Sequence, residues 1–216
     1  MSHLKRQSAP TSWPITRKGT AFVVRSRFKK ESGIPILIAI RDILKLGKTR
    51  AEVKKIIGQK LVLLNGKEIS DDKLGIGLFD ILSFPKIKKA YKLVIQKTGK
   101  FWLVEVKETE VGKKISKIIG KKILKGKKIQ LNISDGRNIL SDTKCAVGDS
   151  VVLNIKEKRI EKCLPLKNKA KIFLFGGKHI GEEGEILELN ENKTIAKTKA
   201  DGKEINVLTK QLIVIE

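Results

Sequence analysis

Across residues 33–69, GIPILIAIRDILKLGKTRAEVKKIIGQKLVLLNGKEI, apolar positions recur every three to four residues and then give way to a short apolar run broken by Asn65-Gly66. The first rhythm predicts amphipathic helix. Pro35 suits a first helical turn, Ile36, Ile40, Ile43 and Leu44 share a face, and Gly47 ends the segment. Thr49 and Glu52 form a T-x-x-E capping box that starts a second short helix. Val53, Ile56 and Ile57 turn inward, Gly58 closes the helix, and Arg50 and Lys54, four apart, lie together on its other side. KLVLLNGKEI then reads as a hairpin, because Asn-Gly is the strongest short-range turn signal. KLGIGLFDILSF supplies the last pieces of this helix–helix–hairpin unit.

From Lys92 to Leu166 the pattern turns to β. YKLVIQ, FWLVEVKE, KKIQLNIS and SVVLNIKE alternate or run apolar over strand lengths, separated by turns at Thr98-Gly99-Lys100, Ser134–Arg137 and Val147–Asp149. Thr109–Lys122 reads as a short helix with Val111, Ile115, Ile118 and Ile119 on one side. Beyond Lys169, KIFLFGGKHIGEEGEILEL sets Gly176, Gly177, Gly181 and Gly184 between strand-like runs, the make-up of a sharply curved small barrel. TIAKTK, EINVL and LIVIE complete its strands.

The first 33 residues show neither rhythm. HLKRQSAPTSWPITRKG is basic and proline-punctuated, and predicts an extended tail that orders only against a partner, with Trp13 offering a flat face for stacking on a base. Charge gives that partner a chemistry. The 216 residues carry 47 Lys and Arg against 23 Asp and Glu, a net charge of +24. Such self-repulsion points to a polyanion, nucleic acid first and an anionic membrane surface second. No apolar run reaches the ~18 residues of a spanning helix, and no signal-peptide pattern opens the chain, so a soluble intracellular protein is expected. The charge is uneven: residues 169–216 hold eight lysines and eight acids, so the first 168 carry the whole excess.

Catalytic chemistry finds little support. Histidine occurs only as His3 and His179, and Asp42, Asp80 and Asp149 sit at helix ends and turns, where capping is their default role. There is no G-x-S-x-G, P-loop or dinucleotide fingerprint, and Gly75-Ile76-Gly77 lacks the helix and lysine of a phosphate loop. Cys145 and Cys163 match no metal-ligand spacing and read as plain core thiols. We therefore expect no enzyme, metal, cofactor or small-molecule substrate.

Particular residues carry a family resemblance. The run from Thr49 resembles the alpha-L RNA-binding module: Thr49-Arg50 stands for its Ser-Arg, Ile56-Ile57 for its Leu-Ile, and Val62, Leu64, Asn65 and Gly66 for its closing V-x-V-N-G. It departs from that pattern at Val53, where Ala is usual, and at Lys60, where Gly is usual. GGKHIGEEGEI resembles the KOW module, an SH3-like barrel of ribosomal proteins and transcription elongation factors. The order of tail, alpha-L module, β domain with IQLNISDGRNIL and KOW module resembles, over essentially the whole chain, the archaeal form of the "four-e" small-subunit ribosomal protein family.

That resemblance implies an α+β, multi-module chain: a basic extension over 1–34, an alpha-L domain over 35–91, a mostly β domain over 92–168 and an SH3-like KOW barrel over 169–216. It implies a structural protein of the cytoplasmic small ribosomal subunit, with rRNA and neighbouring ribosomal proteins as partners and no membrane. An RNA-modifying enzyme carrying an alpha-L module and an elongation-type KOW factor are the rival readings. Candidate RNA contacts are Lys5, Arg6, Trp13, Arg17, Lys18, Arg25 and Arg27 in the extension. Arg41, Lys48, Arg50, Lys54 and Lys67 follow around the helices, with Arg137 at a hairpin tip and Lys178 in the glycine-rich loop.

Overall fold

The computed structural model describes residues 3–27, 32–107, 110–125, 128–141, 143–155, 157, 159–190, 194–200 and 202–215. The chain divides into two compact units, Met1–Gly112 and Lys113–Glu216. The described residues are mostly β with short helices, so the helical share is smaller than an α+β reading anticipates.

In the first unit, β1 (Leu4–Lys5) pairs antiparallel with β2 (Phe22–Val23), closing the N-terminal segment into a loop. The expected extended tail is therefore corrected: the segment folds on its own unit. Its anchor is Trp13, 1% exposed, whose indole N–H donates to the Gly33 carbonyl at 2.9 Å. Burial of one large aromatic ring outweighs the lack of a local period, because the packing partner lies 20 residues away.

β3 (Gly33–Pro35) follows, so Pro35 both ends a strand and, at φ −65°, stands at the N-cap of the helical turn that begins at Ile36. α1 (Ile36–Ile38) runs straight into a π-helical turn over Ala39–Ile43, and Lys45, at φ 54°, breaks the path well before Gly47. Residues 33–40 are all buried, so this is an enclosed apolar segment and not an amphipathic helix. α2 (Arg50–Gly58) forms as its capping residues predict. The Thr49 hydroxyl accepts from the Glu52 amide, while the Glu52 carboxylate accepts from the Lys48 amide at 2.8 Å, one residue before the cap. Val53 and Ile57 face inward.

β4 (Leu63–Leu64) and β5 (Lys67–Glu68) flank Asn65 and Gly66, both at positive φ (51° and 77°), as a type I′ turn requires. Asn65 does more than turn the chain. Its buried amide donates to Asp80 at 2.8 Å and accepts from the Ile81 amide at 2.9 Å, tying the hairpin to the next strand. β6 (Gly75–Gly77) pairs with β3, and a Cβ on Gly33 would lie 2.0 Å from the Ile76 carbonyl oxygen, so only glycine fits there.

β7 (Ile81–Phe84), β8 (Lys89–Ile95) and β9 (Phe101–Val106) complete a sheet of order β5-β4-β7-β8-β9. The expected domain boundary at 91/92 thus falls inside β8, and the one at 34/35 falls inside β3. β8 and β9 supply the hydrogen bonds and apolar face that finish the hairpin's sheet, which no local signal announces.

The second unit opens with β10 (Lys113–Ile123), where a helix was expected. Its Ile115, Ile118 and Ile119 are β-branched, and two strands claim it at once. β11 (Ile129–Ile133) pairs along its second half and β13 (Ser150–Asn154) along its first, with a bulge between Ile118 and Gly120. With β12 (Asn138–Leu140) and β14 (Arg159–Leu164) the order is β12-β11-β10-β13-β14. Cys145 and Cys163 are free thiols of this core, and burial, then Cys145 and Asp149, pushes the Cys163 thiol up to about 12.

The other sheet of this unit, also five-stranded, comprises β15 (Lys171–Leu174), β16 (Glu183–Leu189), β17 (Ile195–Ala200), β18 (Lys203–Leu208) and β19 (Leu212–Val214), in the order β18-β17-β16-β15-β19. Its core residues Ile172, Ile186 and Leu212 pack with Leu164 and Leu166 of the preceding segment. Lys117 is 7% exposed, and its ammonium donates to the Thr209 carbonyl and, at 2.8 Å, to the Leu212 carbonyl. The Ser150 hydroxyl accepts from the Val214 amide at 2.8 Å. The boundary expected at 168/169 therefore separates two sheets that form one unit.

Candidate nucleic-acid interface

The N-terminal loop builds its cationic surface around one arginine. Arg6 donates from Nε to the Thr20 carbonyl at 2.7 Å, from Nη1 to the Thr16 carbonyl at 2.8 Å and from Nη2 to the Thr20 hydroxyl at 2.8 Å. Its amide also donates to the Ala21 carbonyl at 2.9 Å. Arg6 is thus a strut for residues 16–21, with much of its donor fork spent inside the protein. The loop it props holds Arg17 and Lys18 outward, and the β1–β2 pair holds Lys5; all three are exposed, with no ion-pair partner among the described residues.

Among the clefts around this loop, one is lined by Arg6, Arg41 and the acid Asp42, and two others are lined by cations. Of these two, one, of about 370 Å³, is lined by Arg6, Arg17 and Lys100 together with Pro10 and Trp13. The other, of about 510 Å³, is lined by Lys5, Arg6, Arg17, Lys18 and Phe22. Neither has an acidic residue in its lining. Clefts of one sign with low-dielectric walls concentrate counter-charge. Lys100 is a residue that sequence reasoning missed: it lies in the β8–β9 turn, more than 80 residues along the chain from Arg17, and only the fold brings the two together.

The remaining candidates separate into engaged and free cations. Trp13 is buried, so as placed it has no face to offer a base, and that expectation is corrected. Arg27 pairs with Asp71 at 2.9 Å, Arg41 makes a two-pronged contact with its neighbour Asp42 at 3.1 and 2.9 Å, and Arg137 lies 3.4 Å from Asp135 at the β11–β12 turn. Arg50 bonds Asp72 at 2.6 Å. Burial pushes the Asp72 carboxyl up, but the hydrogen bond and charge of Arg50, aided by Lys54 and Asp71, outweigh it and hold the carboxyl low. Arg25, Lys48, Lys54, Lys67 and Lys178 are exposed, with no ion-pair partner within contact distance among the described residues. The arginines thus mostly serve the fold, and the lysines, with Arg17 and Arg25, carry the charge left for a partner.

Fold and charge together define a class: a mostly β, strongly cationic chain whose unpaired positive charge lines open, acid-free clefts. Comparison with known proteins narrows the class. Residues 87–160 match the ribosomal family S4e, and residues 2–27 match the RS4NT domain. The small ribosomal subunit protein eS4 of Methanocella arvoryzae is 38% identical over 191 residues, spanning 87% of this chain and 81% of that one. The protein of the same name from Methanospirillum hungatei is 31% identical over 224 residues, spanning 99% and 93%. The crystal structure of the 30S ribosomal protein S4e from Thermoplasma acidophilum superposes with a TM-score of 0.73 at 25% identity, covering 87% of this chain and 96% of that one. The chain belongs to the S4e family of ribosomal proteins.

Proposed function

We propose that this protein is a structural, non-catalytic constituent of the cytoplasmic small ribosomal subunit that holds folded rRNA through phosphate-backbone contacts. Family membership supports the assembly, and the unpaired cations of the two N-terminal clefts are the observation that carries the RNA contact. Double-stranded RNA keeps its sequence-distinguishing major-groove edges in a deep, narrow groove, so shape, 2′-hydroxyl and phosphate contacts dominate its recognition. In this reading Lys5, Arg17, Lys18 and Lys100 meet phosphates directly, while Arg6 and Trp13 position the loop that presents them. The α2–hairpin region acts as an alpha-L module, supported by its Thr49 cap and Asn65-Gly66 turn, and presents Lys48, Lys54 and Lys67. The C-terminal five-stranded sheet acts as a KOW-type, SH3-like barrel. Its charge-neutral make-up suits docking on a neighbouring ribosomal protein or a single RNA turn more than clamping phosphates.

The test is binding of the full-length chain to small-subunit rRNA over a salt series. Each phosphate neutralised contributes about 0.7–0.9 to the slope of log affinity against log salt. Replacing Arg17 and Lys18 together by Ala should therefore lower the slope by about 1.4–1.8 and leave thermal stability unchanged. An unchanged slope would remove these clefts from the interface. Binding that does not depend on salt would sink the phosphate-contact reading altogether.

A further inference from the structure

The sequence holds two tryptophans, and the structure gives them opposite fates. Trp13 is sealed in the first unit. Trp102 lies on β9, the outer strand of its sheet, and is 41% exposed. Strand alternation explains the placement: Phe101 and Leu103 turn into the core at 2% and 6% exposure, so Trp102 and Val104 turn out. Val94 stands opposite Trp102 on β8 and Lys92 opposite Val104. The indole has no hydrogen bond or ring contact among the described residues. We propose that Trp102 is a stacking platform for an unpaired base of the bound RNA, with the same strand's phosphates held by Lys100 and Arg17. The inference rests on the rRNA reading above and assigns the base contact within it.

An exposed tryptophan alone fits a protein contact equally well, and charge decides between the two. Lys100 is two residues before Trp102, in the turn that leads into β9, and two residues at strand rise span about 7 Å. It also lines the acid-free cleft with Arg17, so uncompensated positive charge begins two residues along the chain from the exposed indole. Among the described residues, the acids on and just after β9 are already paired: Glu105 is 3.7 Å from Lys89, and Glu110 is 4.0 Å from Lys92. A ligand with a flat π-face within one nucleotide's reach of an anion satisfies both features. Single-stranded nucleic acid has that make-up, and grooves that bind it combine stacking aromatics with backbone-tracking cations.

The experiment uses the full-length chain with a twelve-nucleotide single-stranded oligoadenylate and an RNA duplex carrying the same number of phosphates. Trp102→Leu keeps an apolar strand residue and removes the stacking face; Trp102→Tyr keeps a ring. Losing one base–aromatic stack should weaken oligoadenylate binding about 5- to 150-fold in Trp102→Leu, with duplex binding and melting temperature unchanged and Trp102→Tyr close to wild type. Oligoadenylate should also quench the exposed indole's emission, while inorganic polyphosphate of equal charge should not. Unchanged oligoadenylate affinity in Trp102→Leu overturns the proposal. So does a variant that binds oligoadenylate normally yet no longer co-sediments with small subunits, because the strip would then be a protein contact. If the wild-type chain binds neither RNA, the rRNA reading itself fails and this inference falls with it.

Discussion

Replacing Trp13 with Ala should release the N-terminal loop and with it the cationic clefts. The indole is 1% exposed and donates to the Gly33 carbonyl at 2.9 Å, while the neighbouring Ser12 carbonyl accepts from the Phe101 amide at 2.8 Å. Truncating a buried aromatic to Ala costs about 3–5 kcal/mol, and the orphaned Gly33 carbonyl adds about 1 kcal/mol. Total domain stability is only ~5–15 kcal/mol, so the variant should lose a large share of the loop's protection against local opening. At 1.4 kcal/mol per factor of ten, amide exchange across residues 4–23 should accelerate by about three to four orders of magnitude. Hydrogen-exchange mass spectrometry on the RNA-free full-length chain reads this directly, with peptides from Lys113–Glu216 as an internal control. Trp13→Phe, which keeps most of the ring burial and loses the N–H donor, should fall between the two. The reasoning is refuted if the wild-type segment already exchanges at random-coil rates without RNA, or if Trp13→Ala leaves its protection unchanged.

Burial lowers the Lys117 ammonium from 10.5 to about 8, partly opposed by Asp149. Between those values the unfolded chain holds a proton that the folded chain does not, so this residue makes stability rise with pH by about 3 kcal/mol across the window. Denaturant titrations at pH 7.5 and pH 10 should show that gain in wild type relative to Lys117→Met, and an equal pH response in both proteins would contradict it. Gly33→Ala should cost about 3 kcal/mol or more, because its Cβ would press on the Ile76 carbonyl. Gly58→Ala, with nothing within 4 Å of the added carbon at the end of α2, should be neutral or stabilise by up to ~1 kcal/mol, and thermal melts compare the two. Arg50→Ala should lower the melting temperature, because it strips the buried Asp72 carboxylate of its partner, a loss of about 1–2 kcal/mol for a half-exposed arginine. Lys54→Ala should leave stability within ~0.5 kcal/mol and lower the RNA salt slope by about 0.7–0.9.

The chain's own chemistry announced its local elements wherever neighbours in sequence are neighbours in space. The Thr49 cap, the Asn65-Gly66 turn and most strands from YKLVIQ onward are contacts within a few residues, and each has a residue signature. So does the overall charge, which names a polyanionic partner without any fold. The resemblance carried by the order of motifs likewise needed no coordinates.

Where competing pairings decide, pattern alone misled. KKISKII holds isoleucines that suit a helix face or a central strand equally, and only β11 and β13, from later in the chain, settle it as β10. Cutting at 91/92 and 168/169 follows composition, yet β8 completes a sheet begun at Leu63, and Lys117 reaches carbonyls more than 90 residues onward. The basic N-terminus states that residues 3–19 carry charge and one large ring, and nothing more. Tertiary structure decided that Trp13 turns inward, Arg6 braces the loop, Lys100 joins Arg17 at a cleft and Trp102 is the exposed indole. Hydrophobic burial and carbonyl pairing are satisfied by whichever partner the fold brings within reach, so a side chain's role is set by distances in space that sequence separation does not encode.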